Sequence, residues 1–123
     1  MFADFIEYGN WLAVILLTYA SSVTIEATTR LKSDTAGLRT PLFLRSSIGT
    51  ITILLGLPCV ILPALYIGAY SGFSAGLISW FFLQIISAIF VVVLGIRSVL
   101  GLHFVVSTIS MIFGYYLLIT TWP

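Results

Sequence analysis

The chain has 123 residues, of which 60% are hydrophobic and 7% are charged, and its formal net charge is +1. A soluble domain carries roughly 25% charged residues because its surface must be hydrated, so this composition excludes a water-soluble globule. It also lacks the basic surface that a nucleic-acid-binding protein needs. The mean hydropathy of +1.18 predicts a single transmembrane domain over residues 1–123.

The first hydrophobic segment runs from about residue 3 to residue 26, and we predict one transmembrane helix there. The charged residues near its start are acidic, whereas a cleaved signal peptide begins with Lys or Arg. We therefore expect this segment to be retained. Thr18, Ser22 and Glu26 recur at a spacing of four, which predicts a polar stripe along the second half of the helix.

Residues 27–47 form a hydrophilic stretch, which we predict to be a cytoplasmic basic loop. Glu26 and Arg30 stand four residues apart with the acid first, the favourable orientation for an ion pair on a helix. Basic residues at a membrane surface attract anionic lipids by about 1 kcal/mol each, and they can also bind a partner protein. The candidate contacts with lipid or a partner are Arg30, Lys32, Arg39 and Arg45.

The second segment, residues 48–70, carries no charge. At about 1.5 Å of rise per residue it is long enough to cross a hydrocarbon core of about 30 Å. Pro58 and Pro63 each remove a backbone donor, so we predict a kinked helix, most simply for packing, although transporters also use broken helices at their binding sites. Small or polar residues share one face, where another helix can pack closely: Gly49, Thr52, Gly56, Cys59, Pro63, Tyr66 and Tyr70.

The third and fourth segments are predicted over residues 75–96 and 99–122. Gln84 lies near the middle of the third, and a polar group at that depth faces protein or a cavity. We favour a hydrogen bond to another helix over a pathway that Gln84 would line with Ser79 and Ser87. One face of the fourth segment carries small or polar residues, namely His103, Ser107, Ser110 and Gly114.

His103 is the only histidine and Cys59 is the only cysteine. An imidazole titrates near pH ~6.5 and can transfer protons, but a histidine near a membrane edge more often forms a structural hydrogen bond. These residues, which stand far apart, predict no metal centre, no cofactor and no intramolecular disulfide. No catalytic motif is present, so we expect a protein that is not an enzyme.

The predicted fold is all-α, with four transmembrane helices arranged as two antiparallel hairpins. Lys and Arg favour the cytoplasmic side of short loops, and all five lie in residues 30–45 or at Arg97. The N- and C-termini are then both outside, in a plasma or inner membrane. Tryptophans from three of the helices agree, because Trp11, Trp80 and Trp122 all fall near the predicted outer surface.

Two functions follow from a chain with almost no soluble mass. The first is a non-catalytic accessory subunit, whose partners are membrane lipids and other membrane protein subunits. The second is a homo-oligomeric channel or transporter, with a pathway lined by Thr52, Gln84, Ser87 and Ser107. We favour the first because an ion pathway usually includes a buried acidic residue.

Overall fold

The computed structural model describes residues 3–33, 47–96 and 98–123, and the side chains of all of these except residues 30–33. Over these ranges the chain is all-helical, as predicted. The elements in chain order are α1 (Ala3–Tyr8), α2 (Trp11–Ser33), α3 (Ser47–Gly56), a 3-10 turn (Leu57–Val60), α4 (Leu62–Ser71), α5 (Phe73–Val93) and α6 (Leu100–Thr120).

Within the described ranges, four helical stretches are long and apolar enough to cross a membrane, which confirms that part of the prediction. These features suggest a multi-pass membrane protein. The stretches are Trp11–Thr29, Ser47–Ser71, Phe73–Val93 and Leu100–Thr120.

The first predicted helix, residues 3–26, is divided in the structure into α1 and α2. The break falls at Gly9 and Asn10, where the Asn10 Oδ1 atom accepts from the backbone N–H of Leu12 at 2.9 Å and of Ala13 at 3.4 Å. An asparagine in this position caps a helix by pairing N–H groups that have no partner in the first turn. A new helix therefore begins at Trp11.

Helix α2 also extends beyond the predicted end of its segment, to Ser33. Residues 27–33 are therefore helical and not part of a loop. Residues 34–46 of the predicted basic loop, including Arg39 and Arg45, lie outside the described residues, as do the side chains of Arg30 and Lys32.

The second apolar segment changes helix type at its middle. A 3-10 turn, Leu57–Val60, separates α3 from α4, with Pro58 in its first turn and Pro63 in the first turn of α4. Proline is tolerated at the start of a helix, where its missing N–H would have no partner. Beyond α4, Gly72 has a φ of 100°, a backbone conformation that side chains disfavour, and α5 follows immediately.

Helix α2 is the centre of the molecule. Of the residues in its most apolar stretch, 56% are buried inside the protein, whereas the corresponding share for α5 is 17%. One apolar cluster holds Phe5, Leu17, Tyr66 and Leu118, and a second holds Val23, Ala27, Ile96, Leu100 and Phe104. The packed core of the described chain therefore follows α2 along its length.

The outward faces are apolar. On α5 the exposed side chains include Phe81, Phe82, Ile89 and Val92. A soluble protein rarely exposes a continuous apolar surface of this kind, whereas lipid tails solvate it. The exposed face of α5 is thus suited to a bilayer or to another membrane protein.

Candidate functional site: the α2–α5 groove

The second half of α2 carries a row of hydroxyl groups that the core buries. Ser21 and Ser22 both donate to the Thr18 carbonyl, at 2.8 and 3.0 Å, and Thr24 donates to the Ala20 carbonyl at 2.8 Å. Bonds of this kind satisfy a hydroxyl inside an apolar environment. The Thr18 Oγ1 atom is also buried, and among the described residues it has no partner.

Ser22 joins α2 to α5. Its Oγ atom lies 2.7 Å from the Ser87 Oγ atom and 3.1 Å from the Ser87 carbonyl oxygen. Both serines are buried. Hydroxyl pairs are common where membrane helices approach closely, and this pair fixes the level at which the two helices meet.

Gln84 lies three residues before Ser87 on α5, and its side-chain amide donates to the Val60 carbonyl at 3.3 Å. That carbonyl needs an outside donor because the Ala64 N–H bonds to the Ile61 carbonyl instead, at 3.0 Å. A backbone carbonyl that loses its helical donor must find another partner in a membrane. This contact is a hydrogen bond from Gln84 on α5 to the 3-10 turn between α3 and α4.

Ser22, Gln84 and Ser87 line a groove between α2 and α5, which we call the α2–α5 groove. Its volume is about 290 Å³, and Glu26 forms another of its polar walls, beside apolar side chains that include Ile25 and Ala88. Gln84 and Glu26 are partly exposed. Four polar side chains from two helices therefore meet at a surface that is otherwise apolar.

His103 lies away from this groove. Its Nδ1 atom is 2.7 Å from the Tyr19 hydroxyl, and its Nε2 atom is 3.0 Å from the Leu94 carbonyl oxygen. A carbonyl only accepts, so Nε2 donates, and in a neutral ring Nδ1 accepts from Tyr19. The ring thus links α2, α6 and the turn that follows α5.

An aromatic cluster lies at the opposite end of the molecule, and the sequence interpretation did not identify it as a unit. The Tyr66 hydroxyl accepts from the Asn10 N–H at 2.8 Å and lies 2.6 Å from the Thr121 hydroxyl. The buried Phe5 ring packs edge-on against Trp11 and Tyr66, with ring centroids 4.8 and 5.6 Å apart. The Gly-Asn pair before Trp11 is the signal that could have revealed this arrangement, because Asn commonly precedes a helix.

The other predicted residues lie at separate places. Gly56 packs on Thr24 and Gly114 on Leu17. The Cys59 thiol donates to the Tyr115 hydroxyl at 3.4 Å.

Thr52 and Ser107 donate to carbonyls of their own helices, at 2.8 and 2.9 Å. Gly49 and Pro63 are buried, Pro58 is exposed and Ser110 is partly buried. Of the predicted packing or pathway residues, the α2–α5 groove brings together Gln84 and Ser87.

The described part of the chain holds no group of three His, Cys, Asp or Glu residues that could bind a metal ion. No protein-family model, curated protein or solved structure matches the chain.

Proposed function

We propose that this protein is a small, non-catalytic integral membrane subunit that packs against a larger membrane protein complex and stabilises it. The α2–α5 groove carries the proposal, because it presents polar side chains on a surface suited to lipid. Polar groups at membrane depth require hydrogen-bonding partners, which lipid tails cannot supply. A neighbouring membrane protein can supply them.

The exposure of α5 supports the same proposal. Only 17% of the residues in its most apolar stretch are buried inside the protein. Most of the surface of α5 is therefore available for contact with another chain. An apolar groove of about 500 Å³ follows its other side, between α4 and α5, with Gly68 and Gly76 in its floor. A helix that exposes so much surface is well placed to join one protein to another.

We propose two antiparallel hairpins for the fold, with α3 and α4 forming one helix kinked near Pro58 and Pro63. The pairs Gly68–Gly76 and Val60–Gln84, each centred on Gly72, support an antiparallel pairing of α4 with α5. The Lys and Arg residues support a cytoplasmic basic loop in a plasma or inner membrane, with both termini outside.

A matched pair of cysteine variants tests this orientation. With Cys59→Ala as background, we expect a membrane-impermeant maleimide to label Ser74→Cys in intact cells but not Ala36→Cys. Labelling of Ala36→Cys alone would reverse the orientation.

Gentle purification from the native membrane, followed by native mass spectrometry, tests the proposed function. We expect the chain of 13.5 kDa to be recovered with larger, unrelated chains in a fixed ratio. If the chain is recovered only as itself or as multiples of its own mass, the accessory role is wrong.

The alternative proposal is a homo-oligomeric channel or transporter, in which Gln84 and Ser87 would face a pathway closed by neighbouring copies. Their shared groove supports it, whereas the bonds of Thr52 and Ser107 to their own helices do not. Ion flux into liposomes that contain the purified protein is the test. Flux that Gln84→Leu abolishes in a folded protein would favour this alternative, and absence of flux in the wild type would rule it out.

A further inference from the structure

We propose that α3 is a movable half-helix, hinged at the 3-10 turn Leu57–Val60 and held in place by the hydroxyl group of Tyr115. The hinge concerns how the chain changes shape, and it stands whether or not the accessory role is correct. Three features support it: the hydrogen bonds of the turn, the bond from Tyr115, and the shallow burial of α3.

The 3-10 turn leaves a backbone carbonyl at each of its ends without its α-helical donor. Inside such a turn each N–H bonds three residues back instead of four, so the Leu55 carbonyl loses the Cys59 N–H that a continuous α-helix would supply. At the other end the Ala64 N–H bonds to the Ile61 carbonyl, which frees the Val60 carbonyl. A 3-10 segment in the middle of a longer helix often marks a hinge, because its hydrogen bonds have poorer geometry.

Each of these two carbonyls is bound by a side chain of a neighbouring helix. The Tyr115 hydroxyl of α6 donates to the Leu55 carbonyl at 2.5 Å, and the Gln84 amide of α5 donates to the Val60 carbonyl at 3.3 Å. The Cys59 thiol, inside the turn, donates to the Tyr115 hydroxyl at 3.4 Å. Gln84 therefore joins the turn to α5, whereas Tyr115 joins the last turn of α3 to α6.

Helix α3 is packed less deeply than α4. The buried residues of α3 are both glycines, Gly49 and Gly56, whereas those of α4 include larger side chains such as Tyr66 and Ile67. Ile53 of α3 packs against the second apolar cluster and is half-buried. Membrane helices associate through close packing and hydrogen bonds, and segments with few buried contacts open locally most easily. The bond from Tyr115 is thus a large part of what holds α3 in position.

The pivot lies at Gly56, the last residue of α3, which packs directly against Thr24 of α2. This contact holds one end of α3 while the other end moves. The Leu55 carbonyl also has a second donor within reach, because the Cys59 N–H can bond to it once the turn becomes α-helical. Release from Tyr115 therefore does not leave the Leu55 carbonyl unpaired in the membrane.

Rotation of α3 at the turn changes distances at its far end. Helix α3 has 10 residues, so at about 1.5 Å per residue it is about 15 Å long. A rotation of about 20°, the angle at which a helix bend becomes a sharp kink, therefore moves its first residues by about 5 Å. A pair of spin labels resolves a shift of this size when one label is on α3 and the other is on α6.

Distances between spin labels in liposomes test the hinge. The background is Cys59→Ser, which removes the native thiol and keeps a donor for Tyr115. The labels are attached at Ile48→Cys and Leu102→Cys, whose native side chains are exposed in the first turns of α3 and α6. We expect Tyr115→Phe to shift the distance between the labels, or to add a second distance, by about 5 Å. Phenylalanine keeps the ring and removes the donor to the Leu55 carbonyl.

Tyr116→Phe is the matched control, because it removes the same atom one residue further on, from an exposed side chain. A second labelled pair, Phe81→Cys with Leu102→Cys, joins α5 to α6 at exposed positions and should keep its distance. If Tyr115→Phe leaves the distance between labels at 48 and 102 unchanged, Tyr115 does not hold α3 and the inference is wrong. It is also wrong if Tyr116→Phe gives the same shift, or if the distance between labels at 81 and 102 shifts as much, because α6 itself would then have moved.

Discussion

The side-chain amide of Gln84 donates to the carbonyl of Val60 across 3.3 Å, and this bond joins α5 to the 3-10 turn between α3 and α4. The carbonyl is accessible because the chain near Pro63 departs from the α-helical hydrogen-bond pattern. Gln84 on α5 thus supplies the donor that the Val60 carbonyl lacks within its own helix.

Replacing Gln84 by Leu should destabilise the folded protein by about 0.6 to 1.7 kcal/mol, the range measured for hydrogen bonds between membrane helices. The cost should fall in a Pro63→Ala background, where a continuous helix lets the Ala64 N–H reach Val60. Unfolding in mixed detergent micelles, measured for the four members of the cycle, gives the coupling. If Gln84→Leu lowered the free energy of unfolding equally with Pro63 and with Pro63→Ala, the proposed link between Gln84 and the proline-disrupted turn would be contradicted.

The contact between Ser22 and Ser87 should appear as an energetic coupling. We expect Ser22→Ala and Ser87→Ala each to cost about 1 kcal/mol, and the double substitution to cost less than their sum. Ser79→Ala is a suitable control, because Ser79 is a buried serine on α5 that donates to the Ala75 carbonyl of its own helix. It should be nearly neutral, and a cost equal to that of Ser87→Ala would show that the link between helices adds nothing.

Gly56 lies directly against Thr24, and a methyl group at this position would overlap the threonine hydroxyl. Gly56→Ala should therefore destabilise the protein by about 1 to 3 kcal/mol, the usual cost of overpacking. Thr24→Ala should recover part of that loss by removing the overlapping oxygen. The midpoint of thermal unfolding in detergent measures both effects, and the absence of any recovery would place the strain elsewhere.

The two hydrogen bonds of His103 predict its tautomer. Because Nε2 faces the Leu94 carbonyl and Nδ1 faces the Tyr19 hydroxyl, the neutral ring should carry its proton on Nε2. The ¹⁵N chemical shifts of the labelled imidazole distinguish the two tautomers. Tyr19→Phe should move the Nδ1 resonance most, and a dominant Nδ1–H form would contradict the geometry.

The sequence identified α5 and α6 to within a few residues, because an uninterrupted apolar stretch of about 20 residues is a strong signal for a membrane helix. The first segment was harder to interpret. Its overall hydrophobicity conceals the break at Asn10, where a cap decides the start of a helix. The predicted end of the first helix at residue 26 was too early, because a polar helix beyond the membrane resembles a loop in composition, although the spacing of Glu26 and Arg30 is typical of a helix that continues to Ser33.

Composition alone determined that the described chain is helical, apolar on its outer faces, and suited to a membrane, because hydrophobicity and length act locally along the chain. Only the tertiary structure decided which polar residues meet. Ser22 and Ser87 are 65 residues apart in sequence, and Tyr19 and His103 are 84 apart. Such pairs depend on how helices rotate and shift against one another, and this is set by close packing at positions such as Gly56 and Gly114. Helical periodicity specifies a face, whereas packing selects the neighbour that the face meets.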